Sequence, residues 1–193
     1  MTGNATVSVV IPCFNSAATI ERALRSVEHQ TSKPNEVLVV DDASSDNTVS
    51  VIEQYARTSS INIRVIKQSV NGGPSVARNA AWNVATGEFI AFLDADDQWH
   101  PQKLEVQLNA MLSNPTCVMS FHDHLFGSSE QFETLPFTPV TSQATLRNYL
   151  LRNRSATPTV MLRTALTERF TSTKRYAEDY LLWMTIVANH GNA

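Results

Sequence analysis

Strand-like and helix-like segments alternate four times within the first ~115 residues, and no other feature narrows the choice of fold as much. Val7-Ser8-Val9-Val10-Ile11 is β-branched and apolar, as in a strand buried on both faces, and it is expected to stop at Pro12. Ile20, Ala23, Leu24 and Val27 then recur at helical spacing behind a cap at Asn15 or Ser16. Glu36 to Val40 reads as a second strand, running into Asp41-Asp42. Asp46 is expected to cap a helix carrying Val49, Ile52 and Tyr55, and Ile61 to Ile66 reads as a third strand. Asn71-Gly72-Gly73 is a loop, and Pro74 suits the first turn of a helix that runs to about Ala85. A fourth strand from Phe89 ends in acids, a helix near Pro101 carries Leu104, Leu108, Met111 and Leu112, and Cys117 to Phe121 reads as a fifth strand. Such alternation implies right-handed βαβ crossovers. The expected class is α/β, a Rossmann-like, mainly parallel sheet with helices on both faces.

The acids stand where such a sheet binds ligands. Phe89-Ile90-Ala91-Phe92-Leu93 runs straight into Asp94-Ala95-Asp96-Asp97. If the segment stays extended, Asp94 and Asp96 share one side. Three acids so close repel one another, and a divalent cation relieves that repulsion, because hard cations prefer carboxylate oxygens. The other strand ends carry Pro12-Cys13-Phe14-Asn15 and Asp41-Asp42. In a parallel sheet these ends share one edge, so Asp41, Asp42, Asp94, Asp96 and Asp97 would line one crevice. A carboxylate there can accept a hydrogen bond from the N3–H of uracil, which cytosine lacks.

The remaining signals are weaker. Gly72-Gly73-Pro74 resembles a phosphate cradle, and Arg78, a turn further on, could meet a diphosphate or an acid of the site. Neither an ATPase loop nor a dinucleotide fingerprint occurs. Glu178-Asp179 opens an apolar helix from about Tyr176 to Asn189; the helix dipole favours acids there, and a general base is the functional reading. His122-Asp123-His124 lacks a third soft ligand and reads as structural or surface. Trp82, Trp99 and Trp183 read as packing, with Trp99 near enough to the acids to line the crevice, and Cys13 has no evident His partner. Gly127 to Pro139 has little periodicity, Ala144 to Leu151 reads as helix and Thr159 to Leu162 as strand. One domain over 1–193 is expected, with a nucleotide-binding half to about residue 100 and a second half from about 101 that completes the site.

Composition excludes several classes. A net charge of −3 gives no electrostatic reason to expect nucleic acid. No apolar run approaches the ~20 residues that cross a bilayer, and no basic segment with an apolar core opens the chain. Cys13 and Cys117 read as two reduced, part-buried thiols. The expected location is cytoplasmic, with association at the inner membrane face left open.

Taken together, four motifs resemble the family 2, inverting, GT-A-fold glycosyltransferases. They are Val9-Val10-Ile11-Pro12-Cys13-Phe14-Asn15, Val39-Val40-Asp41-Asp42-Ala43-Ser44-Ser45-Asp46, Gly72-Gly73-Pro74-Ser75-Val76-Ala77-Arg78-Asn79 and Gly87 through Asp97. Glu178-Asp179-Tyr180 matches the family's later acidic pair. The resemblance implies a nucleotide-sugar donor, usually a UDP-sugar, a Mg²⁺ or Mn²⁺ ion, and a saccharide or lipid-linked acceptor. It implies that Pro12, Phe14 and Asn15 border the nucleoside, Asp42 reads the uracil, Arg78 approaches the phosphates and Asp94 contacts the ribose side. Asp96 would hold the metal and Asp179 would be the base, with Asp41, Asp97, Trp99 and Glu178 as secondary contacts.

Relatives carry more sequence after the base, so the chain is expected to be shortened there, or to borrow a partner or membrane surface, and to transfer poorly alone. A non-catalytic nucleotide-sugar-binding module is the first alternative. A sugar-phosphate nucleotidyltransferase would want a Gly-rich basic loop after the first strand, and a haloacid-dehalogenase-like phosphatase would carry its Asp pair after that strand; Pro12-Cys13-Phe14-Asn15 fits neither.

Overall fold

Six strands form one sheet in the order β3-β2-β1-β4-β6-β5 in the computed structural model, which describes residues 5–124, 127, 142, 145–147, 155–172 and 177–191. The strands are β1 (Val7–Cys13), β2 (Glu36–Asp41), β3 (Ile63–Lys67), β4 (Phe89–Phe92), β5 (Met119–Ser120) and β6 (Met161–Arg163). The helices are α1 (Ile20–Glu28), α2 (Thr48–Ala56), α3 (Pro74–Trp82), α4 (Lys103–Ser113) and α5 (Glu178–His190). Strands β1 to β4 pair in parallel, while β6 runs antiparallel between β4 and β5. The alternating apolar runs therefore produce the parallel sheet expected of them. The reversed β6 closes the side that the βαβ pattern leaves open.

Both faces of the sheet are covered, because β1 and β2 are buried throughout and their side chains alternate between two cores. Val9, Ile11, Val37 and Val39 pack with Ile20, Leu24 and Val27 of α1, Ile52 of α2 and Leu104 and Met111 of α4. Val10, Leu38, Ile90 and Phe92 pack with Ala77 and Trp82 of α3 and Leu182 and Trp183 of α5. Phe92, Phe170 and Trp183 meet in tilted and edge-on ring contacts at centroid distances of 5.3 to 6.3 Å, a geometry that aromatic quadrupoles favour.

Several local expectations change. β1 continues through Pro12 to Cys13, since a proline lacks only its own N–H and the strand's other ladder bonds persist. The α1 helix starts after Thr19, not at Asn15 or Ser16; the Ser16 carbonyl instead accepts the Thr19 and Ile20 N–H groups in a preceding turn. Asn47 precedes α2, although Asp46 does accept the Thr48 N–H at 3.0 Å. α3 ends at Trp82. β5 is only two residues long, and β6 lies slightly later than the predicted strand, behind a 3-10 turn at Thr157–Thr159. The predicted helix over 144–151 and the irregular 127–139 stretch fall mostly outside the described residues. Both cysteines are free, Cys13 buried and Cys117 half-buried.

Candidate active site

Strand β1 is flanked by β2 on one side and β4 on the other, so the chain reverses its direction of winding there. Ligands in open α/β sheets bind outside the carboxyl ends of such neighbouring strands. The three segments leaving β1, β2 and β4 at that edge carry most of the predicted site residues.

The segments after β1 and β2 brace one another. Asn15 sits at φ 50°, in the left-handed region that asparagine tolerates better than most residues. Its side-chain Oδ1 accepts the Ser45 N–H at 2.8 Å and the Asp46 N–H at 3.3 Å, while Ser44 Oγ accepts the Asn15 N–H at 2.9 Å. Asp46 in turn accepts the Ala17 N–H at 3.1 Å. The Asn15 side chain thus holds the turn after β2. Phe14 beside it is half exposed, and Pro12 is buried within β1.

Asp41 and Asp42 are both buried. Asp41 accepts the Ser44 N–H at 3.2 Å. Asp42 receives the Gly72 N–H at 2.8 Å on one oxygen and the Gly73 N–H at 2.7 Å on the other. Gly73 takes φ 83°, a conformation that a side chain resists, and leads into Pro74 at the start of α3. Asp42 therefore fixes the glycine loop that launches α3. Four residues further on, Arg78 is buried and donates to Asp94 Oδ1 at 2.6 Å, with its guanidinium 5.3 Å from the Phe170 ring. Of its two anticipated partners, Arg78 meets the acid.

The acids after β4 do not continue an extended strand. The strand ends at Phe92, and the Asp97 N–H closes onto the Asp94 carbonyl at 3.1 Å. The premise that alternation aligns Asp94 with Asp96 fails, because the chain turns. The turn still bunches the charges: burial first, then Asp94 and Asp96, push the Asp97 carboxyl above its ordinary range. Both Asp96 and Asp97 keep exposed surface even though the Asp97 carboxyl is partly desolvated, and their carboxylates accept no hydrogen bond among the described residues, while Arg22 and His124 offset part of the push on Asp97. Arg22 of α1 donates to the Asp96 carbonyl and anchors the turn from below. Trp99 is buried, with its indole N–H on the Pro158 carbonyl at 2.7 Å and Lys103 Nζ 3.9 Å from its ring centroid, where burial pushes the Lys103 pKa well below its ordinary value. Trp99 belongs to the core that includes Leu104 and Met111 of α4.

Glu178 and Asp179 open α5, as expected, behind Ala177 at φ 58°. Asp179 accepts the Thr157 hydroxyl at 3.1 Å. Glu178 lies apart, lining a shallow cavity of about 170 Å³ with Glu168, Arg169 and Thr185. His122 is half-buried and its Nδ1 lies 2.7 Å from the Asp123 carbonyl, and no cluster of three or more metal-ligating side chains occurs among the described residues. Sequence reasoning missed Thr157, Phe170, Lys103 and Arg22. Lys103 alone left a trace, a lysine one turn from Gln107 on the face that α4 buries.

Residues 8–170 match the glycosyl transferase family 2 model. The chain belongs to this family. It is 34% identical over 185 residues to the UDP-Glc:alpha-D-GlcNAc-diphosphoundecaprenol beta-1,3-glucosyltransferase WfgD of Escherichia coli, covering 95% of this chain and 70% of that protein. Staphylococcus aureus TarS 1-349 in complex with UDP superposes with a TM-score of 0.74 at 28% identity, over 92% of this chain and 53% of TarS 1-349. The mannosyltransferase PcManGT of Pyrobaculum calidifontis, solved with GDP-Man and Mn²⁺, gives 0.75 at 23% identity, over 98% of this chain and 54% of its own, and speaks for the shared fold alone. The fold of this family 2 chain is accordingly GT-A. The chain spans about half the length of those two solved proteins. No helix among its described residues is long and apolar enough to cross a membrane.

Proposed function

We propose that this family 2 chain transfers a sugar, with inversion, from a UDP-sugar to a hydroxyl of a saccharide or lipid-linked acceptor in polysaccharide or glycolipid biosynthesis. The work would be done in the cytoplasm or at the inner membrane face. The observation that carries the reading is the pair of exposed carboxylates on Asp96 and Asp97 at the sheet's switch point, which accept no hydrogen bond among the described residues, beside the Arg78–Asp94 ion pair. Exposed carboxylate oxygens that crowd one another fit Mg²⁺ or Mn²⁺, both hard cations. Asp96 would hold the ion, with Asp97 next to it. The ion would stabilise, as a Lewis acid, the negative charge that grows on the departing diphosphate.

The chain's own groups do the rest. The braced segments at Pro12, Phe14, Asn15 and Asp41-Asp42 form the nucleoside side, with Asp42 toward the uracil. The glycine loop before α3 and Arg78 flank the phosphates, and Asp94 the ribose side. Asp179 takes the proton from the attacking acceptor hydroxyl, a contribution of typically ~10²–10⁴-fold. One in-line displacement needs no covalent enzyme intermediate. Residues up to about 100 then serve the donor, and later residues bring the base and the acceptor.

Calorimetry with UDP, with and without Mn²⁺, on the wild type and Asp96→Asn tests the donor reading. Metal-dependent UDP binding that Asp96→Asn weakens is expected; UDP affinity indifferent to both would remove Asp96 from the metal site. A UDP-release assay with UDP-sugars follows, in which Asp179→Asn should silence turnover and spare UDP binding. Tight UDP binding with no turnover under any acceptor would favour the non-catalytic module.

A further inference from the structure

We propose that Thr157 is a positioning residue for sugar transfer, aiming the Asp179 carboxylate through a hydroxyl hydrogen bond; this rests on the reading of Asp179 as the base. Thr157 is buried, and its Oγ1 donates to Asp179 Oδ2 at 3.1 Å. The other oxygen, Oδ1, accepts the Tyr180 N–H at 2.6 Å. Each carboxylate oxygen keeps a further lone pair with which to take a proton from an acceptor.

The need for such a strut follows from where the base sits. Asp179 is the second residue of α5, Ala177 ahead of it is in the left-handed region, and no side chain caps the helix. An aspartate on a first helical turn otherwise swings among rotamers, and a misplacement of about 1 Å in a reacting group is worth ~10²-fold in rate. The 3-10 turn that carries Thr157 is itself tied to the acid side of the site. The Pro158 carbonyl accepts the Trp99 indole N–H at 2.7 Å, and Trp99 stands two residues after Asp97. The Thr159 carbonyl accepts Gln107 Nε2 of α4 at 3.0 Å, and the next residue's carbonyl, Val160, accepts the Phe92 N–H at the end of β4 at 3.4 Å. One short turn therefore links the base to the strand end and loop that carry Asp94, Asp96 and Asp97. It sets the offset between proton acceptor and leaving group.

Thr157→Val removes the hydroxyl at nearly constant volume, and Thr157→Ser keeps it. The probe is UDP release from UDP-glucose with Mn²⁺, with water as acceptor. The expected result is a kcat about tenfold or more lower in Thr157→Val at unchanged KM for UDP-glucose, with Thr157→Ser within about threefold of wild type. A Thr157→Val enzyme with wild-type kcat, or a Thr157→Ser enzyme as slow as Thr157→Val, overturns the inference. Failure of the parent reading looks different, since Asp179→Asn then keeps full turnover. The contact is also read without turnover: the melting-temperature effects of Thr157→Val and Asp179→Asn should be non-additive in the double variant, and strict additivity overturns it.

Discussion

Both oxygens of the Asp42 carboxylate are held by backbone N–H groups, one from Gly72 and one from Gly73. Asparagine cannot replace it, because its NH₂ would face one of those donors. Asp42→Asn should therefore loosen the glycine loop. Amide exchange at Gly72 and Gly73 is expected to speed by roughly tenfold, from the loss of about one charge-assisted hydrogen bond, with UDP binding weakened in step. Unchanged protection of both amides would show that the clamp does not hold the loop. Arg78 shows the same economy of contacts. Its charge is matched by Asp94, its face lies near the Phe170 ring, and its Nε is buried without a partner. A buried, hydrogen-bonded ion pair of this kind is costly to break from one side only. The acids themselves were legible in the sequence because three carboxylates at a strand end have no packing rationale. Arg78 was anticipated beside them, but Phe170 and Thr157 were not, since both reach the site only through long-range contacts.

At the scale of elements, the strands and helices up to α4 could be read because β-branched runs and 3.6-residue spacing are local signals. The place of β6 could not. It is three residues long and pairs antiparallel to β4, with Ala91 opposite Met161. No local pattern encodes a pairing seventy residues apart in sequence. Leu112 was read as part of the apolar face of α4 and is 45% exposed. The opposite edge of the sheet carries stability rather than chemistry. Ser8 Oγ donates to Glu36 at 2.7 Å and accepts the Gly87 N–H at 2.9 Å, and Glu36 also takes the Thr86 hydroxyl and N–H. A Cβ on Gly87 would meet the Ser8 backbone nitrogen at 2.6 Å, a contact that only movement of β1 could relieve. Gly87→Ala should cost roughly 2–3 kcal/mol, measurable by urea unfolding, as overpacking against backbone does. A wild-type midpoint would mean that β1 and β4 separate freely there.

For the whole molecule, acid sensitivity follows from groups that folding keeps uncharged. Burial first, and electrostatic repulsion from Lys103 second, push the His122 imidazole down to about 4. Unfolded, it titrates near the ordinary histidine value of ~6.5. Between those values the unfolded chain binds the extra proton, so stability is complete above about pH 6.5 and falls as pH drops toward 4. The effect is on the order of 3 kcal/mol across that window. Burial shifts His100 in the same sense. Thermal melts between pH 7 and 4.5 should show a falling midpoint that His122→Asn flattens; equal slopes in the two proteins would assign the loss to other groups. The double-faced core and its mainly parallel sheet were expected, as was the family, whereas nothing in the sequence set Lys103 near His122, which read as a structural or surface residue.

The insertion of β6 between β4 and β5 has a consequence for synthesis on the ribosome. Until residues 161–163 emerge, the far side of β4 has no neighbour, and β5 has nothing to join. A nascent chain halted before that point would carry the four parallel strands beside an open, sticky strand edge, the condition that invites chaperone capture or clumping.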